Sequence, residues 1–521
     1  MRIFSLFIIL ALLSVNLNAQ HTNILIDDDG SWTQPEEPSI MINPKNTNHI
    51  VGGANIDNMY YSTDGGFTWS HEVLTSSYGV WGDPVLIVDT AGAWYFFHLS
   101  NPPTGGNWID RIVCQKKDTI GGTWNNGTYM GLNGTKAQDK EWAVVDVTNN
   151  NLYVTWTQFD EYNSSNPNDK SDILFSRSYD GGANWSEATR INEVSGDCLD
   201  GDNTTEGAVP AVGPNGEIYV AWAGPLGLVF DRSLDQGETW LEEDIYIGPF
   251  PGGWAYDIPG ISRCNGLPIT KCDLSGGPNH GTIYVNWTDQ RNGTDDTDVW
   301  LCKSEDGGNT WSDAIRVNND PPGKHQFFTW MDIDQLTGHL WFVWYDRRAY
   351  DDDNTDVFMA VSKDGGTSFT NFKVSESPFL PFEEIFFGDY TNVSAYDNVV
   401  RPIWARLEGN DLSIYTAIID PDIVGIEEEV PSLLSLEQNY PNPFRESTVI
   451  SFKLKKPEVI SLKIYDVYGR MVASLHNKEL VQAGKHSRWF NPESQNLTTG
   501  TYYFSLETDE LVMKRKMIFV R

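Results

Sequence analysis

An octapeptide that returns at near-regular intervals constrains this chain more than any other feature. SEDGGNTW at Ser304–Trp311 recurs as STDGGFTW at Ser62–Trp69, SYDGGANW at Ser178–Trp185, SLDQGETW at Ser233–Trp240 and SKDGGTSF at Ser362–Phe369. A worn copy, KDTIGGTW at Lys117–Trp124, carries Thr119 where the others carry Asp. The key positions Asp64, Thr119, Asp180, Asp235, Asp306 and Asp364 are 55, 61, 55, 71 and 58 residues apart. Such a period means repeated supersecondary units, none able to bury its apolar face alone.

The chemistry of the repeat is that of a tight turn. An Asp side chain caps its own backbone, and glycine supplies positive φ without steric cost. An apolar strand precedes the well-kept copies, as in NMYY, DILFSR, GLVFDR, DVWLCK and DVFMAV. The Trp five residues after the Asp opens the next strand and is expected to pack back across the turn. Each repeat therefore reads as a hairpin turn inside a small antiparallel sheet.

S-x-D-x-G-x-x-W resembles the Asp-box of the sialidase superfamily and related β-propellers. The resemblance implies an all-β propeller; it implies less about activity, because the box is structural and one fold hosts many functions. Six units end in a box. Beyond the last, YTNVSAY, VVRPIWAR and LSIYTAI give three more strands, and HTNILID at His21–Asp27 is a lone strand at the other end. Together they would make a seventh blade, closed by the N-terminal strand, which removes open sheet edges. The expectation is a seven-bladed β-propeller; the alternative is the six-bladed propeller of true sialidases.

Residues 1–19 read as a secretory signal: Arg2, an apolar run from Phe4 to Val15, and a small-residue exit at Ala19. That run is too short to span a bilayer. The propeller is assigned to 20–422 and an acidic, Pro-containing linker to 423–432. Residues 433–521 form a small immunoglobulin-like β-sandwich by strand alternation. Its motifs are NYPNPF, ISLKIYDVYGRMV, GTYYFSL and a terminal KRKMIFVR. In order and position they resemble the type A sorting domain of the Bacteroidetes type IX secretion system. That implies passage through the periplasm, then release or attachment at the outer-membrane surface, with the secretion machinery as partner.

The net charge of −36 is uneven. Residues 433–521 hold 13 basic and 9 acidic side chains, leaving 23 and 63 upstream. So acidic a propeller repels nucleic acid and anionic membranes, and keeps an exported protein soluble. Five cysteines are odd for an exported chain, so at least one is unpaired. Cys264 and Cys272 could bridge, Cys114 and Cys302 sit in strand patterns, and Cys198 has no assignment.

In a blade with strands A to D the box joins C to D. The D–A and B–C loops lie at the opposite face, around the central funnel, where ligand sites of closed β-architectures form. D–A loops contribute Glu36-Glu37, Asp83, Asp139-Lys140-Glu141, Glu206, Tyr256-Asp257, Trp330 and Asp389-Tyr390. B–C loops contribute Asp57, His98, Asp289 with Arg291, Asp346 with Arg347-Arg348, and Arg406. Glycoside chemistry needs a carboxylic acid and a nucleophile or base. The sialidase resemblance implies a Tyr nucleophile backed by Glu, an Asp acid/base and three Arg on a substrate carboxylate. Carried over, these roles fall to Tyr390, Glu206 and Asp57, with Arg291, Arg348 and Arg406 as the clamp. The family's Arg-Ile-Pro is absent; Glu37-Pro38 stands there, and Glu37 would repel a carboxylate. WTDQR and WYDRR occupy one blade position and also fit a loop brace.

No cofactor is expected. Calcium at Asp295–Asp298 or Asp351–Asp356 lacks a fixed ligand spacing, and no zinc spacing, phosphate loop or nucleophile elbow occurs. The reading is a secreted or surface-attached glycan-active propeller, in the sialidase-like case an exo-glycosidase. A polysaccharide lyase using His98, His325 or Tyr390 is one alternative, and a non-catalytic binding propeller another.

Overall fold

The computed structural model describes residues 21–28, 30–31, 33–422, 424, 434–436, 438–454, 456–495, 497–508 and 512–520. The expected signal segment lies outside them, as does all of the expected linker but Val424. The chain divides into two compact units, 1–425 and 426–521.

Among the described residues, the first unit contains seven four-stranded antiparallel sheets. Six are consecutive meanders; the first runs Ser39–Ile42, Ile50–Ala54, Asn58–Ser62 and Ser70–Val73. The seventh joins both ends of the unit. Thr22–Asp27 pairs antiparallel with Asp411–Ile418, outside Val399–Glu408 and Asn392–Tyr396. The inner strands pack side by side in a closed ring. In order they are Ser39–Ile42, Val85–Val88, Ala137–Val145, Glu206–Val212, Ile269–Cys272, Gln326–Asp334 and Asn392–Tyr396, which returns to Ser39–Ile42.

Aromatic residues fill the space between sheets. The second strand of each sheet after the first carries a fully buried Trp: Trp94, Trp156, Trp222, Trp287, Trp341 with Trp344, and Trp404. The first sheet has Gly52-Gly53 there instead. A Cβ on Gly53 would lie 2.8 Å from both Phe96 and Pro84 of the second sheet, so the glycine admits that phenyl ring.

The boxes are built as the sequence implies. In the first, Ser62 Oγ donates to Asp64 Oδ1 at 2.8 Å and accepts from Gly66 N. Thr68 donates its N–H and hydroxyl to the two Asp64 oxygens. The box tryptophans reach further than expected. Trp185, Trp240 and Trp311 pack edge-on against Phe97, Phe175 and Phe230, each in the preceding sheet. Arginines reach across in the same sense: Arg401 Nε donates to Gly65 O, and Arg232 to Gly307 O and Asn309. The box is thus both a turn and a wedge between neighbouring sheets.

All five cysteines are free and buried, so the suggested Cys264–Cys272 bridge is corrected. Cys272 belongs to an inner strand, Ile269–Cys272, while Cys264 lies in the preceding loop among Tyr256 and Asn265.

The second unit packs two sheets around one core. Leu434–Leu436, Thr448–Leu454 and Gly484–Phe490 form one; Met471–Val481, Glu458–Asp466, Gly500–Glu507 and Val512–Phe519 form the other. Phe452, Leu462, Phe504 and Phe519 lie in that core. Among the described residues no helix is long and apolar enough to cross a membrane.

Candidate functional site

Six of the seven sheets enter their inner strand through a left-handed residue: Glu37, Asp83, Lys140, Gly207, Phe328 and Gly388. Three inner strands also slip register there, at Asp139/Trp142, Glu206/Val209 and Phe327/Trp330. A bulge of this kind re-aims side chains, and non-glycine residues held at positive φ concentrate at functional sites. The repeated irregularity gathers charged and aromatic side chains at one end of the ring.

Lys140 is the hub. It is 5% exposed, and its Nζ lies 2.7 Å from Asp389 Oδ2, 3.3 Å from Asp83 Oδ2 and 3.7 Å from Glu37 Oε1. Arg263 grips Asp389 with Nε and Nη2, and donates from Nη1 to Asp200 at 2.9 Å. Its guanidinium rests on the Phe386 ring, 5.0 Å from the centroid. Tyr162 OH and Trp254 Nε1 also bind Asp200. Asn55 ties the loops together, donating to Glu36 and Glu37 and accepting from the Asp83 N–H.

The carboxyl groups are driven to opposite protonation states. Burial pushes Glu36 up to about 8 and Asp139 up to about 7. Burial also holds Glu37, Glu141 and Glu206 well above the usual range. Burial acts on Asp389 in the same sense, but Arg263 and Lys140 overcome it and keep that carboxylate ionised. Lys140 is likewise held charged against its own burial by Asp389, Asp83 and Glu37. Both carboxyl oxygens of Glu141 and Glu206 lack hydrogen-bond partners among the described residues, as does Tyr390 OH.

Beneath the charges lies an aromatic floor. Trp142 packs on Trp330 at 4.2 Å and meets the Tyr390 ring edge-on at 5.2 Å. Below it the ring encloses a channel of about 510 Å³, lined by side chains such as Ile87, Val145, Val209 and Val393.

Of the six residues singled out from the sequence, Glu206 and Tyr390 join this cluster. The other four do not. Asp57 is half-buried on the turn after Ile50–Ala54, and none of the cluster's hydrogen bonds or ion pairs reaches it. Arg291 is held by Asp289 at 2.6 Å and stacks on Trp300. Arg348 is held by Asp346 at 2.8 Å and lies over Phe358. Arg406 pairs with Glu408 at 2.7 Å and donates to Ser377. The expected three-arginine clamp is therefore corrected: each arginine has a carboxylate two residues away in sequence, and that local pair forms at low entropic cost. Trp287 and Trp344 donate to the same Asp289 and Asp346, which completes the Trp-x-Asp-x-Arg brace.

Of the lyase candidates, Tyr390 is in the cluster and the two histidines are elsewhere. His98 is fully buried, its Nδ1 against Leu99 O, and burial lowers it to about 4. His325 faces Thr297 and is lowered to about 4 by burial and Arg347. The acidic loops spend carboxylates internally: Asp298 on Asn292, Asn318 and Arg316, Asp353 on Arg347, Asp356 on Lys373. Among the described residues no group of three or more His, Cys, Asp or Glu is arranged to hold a metal ion.

Sequence reasoning missed Arg263 and Asp200, and gave Lys140 no special weight. One signal was present: the longest interval between boxes, from Asp235 to Asp306, contains the extra loop that delivers Arg263.

Residues 438–520 match the secretion system C-terminal sorting domain. The chain thus carries the address of the type IX secretion system, and its destination is the cell surface or the extracellular space. The comparison with curated proteins found no match. Among solved structures, the NanB sialidase from Streptococcus pneumoniae is similar at 9% identity and TM-score 0.43, over 78% of this chain and 98% of that one. A Hadza microbial sialidase is similar at 12% identity and TM-score 0.41, over 72% and 74%. The Penicillium chrysogenum alpha-L-arabinanase is similar at 14% identity and TM-score 0.41, over 67% and 98%.

Proposed function

We propose that this is an exported, glycan-binding, seven-bladed β-propeller whose ligand sits at the Lys140 mouth. The seven sheets of residues 20–422 are its blades, residues 423–432 its linker, and residues 433–521 an immunoglobulin-like sorting sandwich. The observation that carries the reading is the rim of the cluster. Arg263 is one-third exposed, yet the fully buried Asp389 and the half-buried Asp200 fix its plane. Tyr162 stands beside it, half-buried, its hydroxyl on Asp200. Rigid, pre-paired polar groups at the mouth of a closed β-ring are what orient a hydroxyl-rich ligand. Binding of the purified full-length chain to a glycan array tests this. Retention of glycans by wild type and its loss in Arg263→Ala support the reading, and indifference to Arg263 refutes it.

A second reading, hydrolysis, is favoured by the split protonation. Glu206 or Glu141 would act as the acid and Asp389 as the ionised partner, the division of labour that glycosidases use. Release of reducing ends that Glu206→Gln abolishes would establish it. The Tyr390 nucleophile of the sialidase type has less support, since its hydroxyl has no carboxylate partner among the described residues.

A further inference from the structure

Beside the Lys140 mouth, two exposed tryptophans and the half-buried Tyr162 stand in a line. Trp81 is 37% exposed and Trp108 is 45% exposed. Their ring centroids are 6.4 Å apart with planes at 88°, and Trp108 meets Tyr162 at 5.6 Å and 81°. Tyr162 then hands over to Asp200 and Arg263 through its hydroxyl. The line therefore runs from solvent to the charged cluster without a break.

The platform is rigid. Trp81 N–H donates to Leu99 O, Leu99 N–H to Gly82 O, and Asn101 N–H to Tyr78 O. The loop bearing Trp108 is pinned by Ile109 N–H on Ser100 O and by the Asp110 carboxylate on Asn107 N–H. Exposed aromatic rings on a fixed backbone offer apolar area at little entropic cost, and a polar edge beside it.

Charge selects the ligand. The rim carries Asp200 and Asp202, within a unit whose sequence is strongly acidic. The two arginines of this loop system are committed: Arg263 to Asp389 and Asp200, Arg111 to Asp110 while it lies between the Tyr78 and Tyr129 rings. A uronate or sialate would meet carboxylates and no uncommitted guanidinium among these groups. A neutral sugar would meet ring faces and hydroxyl-bonding edges.

We infer that Trp81, Trp108 and Tyr162 form an aromatic track that binds a neutral glycan chain and leads it to the Lys140 mouth. This rests on the glycan reading above and narrows it to uncharged saccharides.

Affinity electrophoresis of the full-length chain tests the inference, with dextran, mannan or arabinan in one set of gels and polygalacturonate or polysialic acid in the other. Wild type should be retarded by a neutral polymer. Trp108→Ala and Trp81→Ala should each weaken that retardation about tenfold, and Trp108→Phe should restore part of it. Tyr246→Ala, a 56%-exposed aromatic on an outer strand, should change nothing. Melting curves confirm that each variant is folded. Retardation by the anionic polymers alone overturns the inference. So does neutral retardation that survives both tryptophan changes, an outcome that leaves the mouth reading standing. Indifference to every polymer overturns both.

Discussion

Replacing Lys140 with Met keeps the length of the side chain and removes the charge at the centre of the cluster. The nearest partner, Asp389 at 2.7 Å, contributes a gross attraction of about 6 kcal/mol at an effective dielectric of about 20. Glu37, farther away at 3.7 Å, adds less, because burial raises its pKa well above the usual carboxylate range and so weakens its charge. Asp389 retains Arg263 in the variant, so the loss is partly cushioned. Set against the desolvation the lysine no longer suffers, the expected cost is about 3–5 kcal/mol, the range for a buried pair that loses one partner. Urea unfolding followed by tryptophan fluorescence at pH 7.5 gives the value. The deficit should narrow at pH 5, where carboxyls freed of Lys140 take up protons. A variant within about 1 kcal/mol of wild type at both pH values would refute Lys140 as the hub.

Three further outcomes follow from the same structure. Burial raises Glu36 to about 8 and Asp139 to about 7, so the folded chain keeps protons that the unfolded chain has lost. Their stabilisation is full below the unfolded carboxyl pKa of about 4 and disappears as pH rises through about 7 to 8. The unfolding free energy from urea titrations should therefore fall from pH 5.5 upward by about 1.4 kcal/mol per pH unit for each group, until about pH 7 for Asp139 and about pH 8 for Glu36, and level off above; a stability that rises over this range would contradict the raised pKa values. Asp235→Ala removes the acceptor of bonds from Ser233 and Thr239 and should cost about 1–2 kcal/mol in chemical denaturation, leaving glycan retention intact. Native protein should yield no thiol to Ellman's reagent and all five after denaturation, since every cysteine is free and buried; fewer than five would reveal a bridge.

The turn architecture was legible because each box is a local device, written within eight residues. The N-terminal closing strand was legible as a leftover, and its pairing with Asp411–Ile418 follows from three strands that lacked a fourth. The inter-sheet role of the box tryptophans was not, because Trp311 meets Phe230 from the preceding sheet and nothing near Trp311 names that partner. Glu206 and Tyr390 lie in the Lys140 cluster because their loop class places them at that end of the ring. The arginines were misplaced because loop class fixes where a side chain starts and a nearby carboxylate decides where it ends; Arg291 and Arg348 each had an Asp two residues before them. Lys140 was overlooked because a single lysine among acids looks like solvated surface until the ring closes around it. Arg263 sits in an insertion that no repeat describes.

Hydrogen–deuterium exchange of the full-length chain, with and without a retained neutral oligosaccharide, tests the central claim most directly. New protection is expected at residues 78–83, 100–111, 136–142, 254–265 and 382–390, the loops that build the Lys140 mouth and its aromatic approach. Protection confined to the box turns, such as 62–69 and 304–311, would put the ligand on the opposite face and contradict the account.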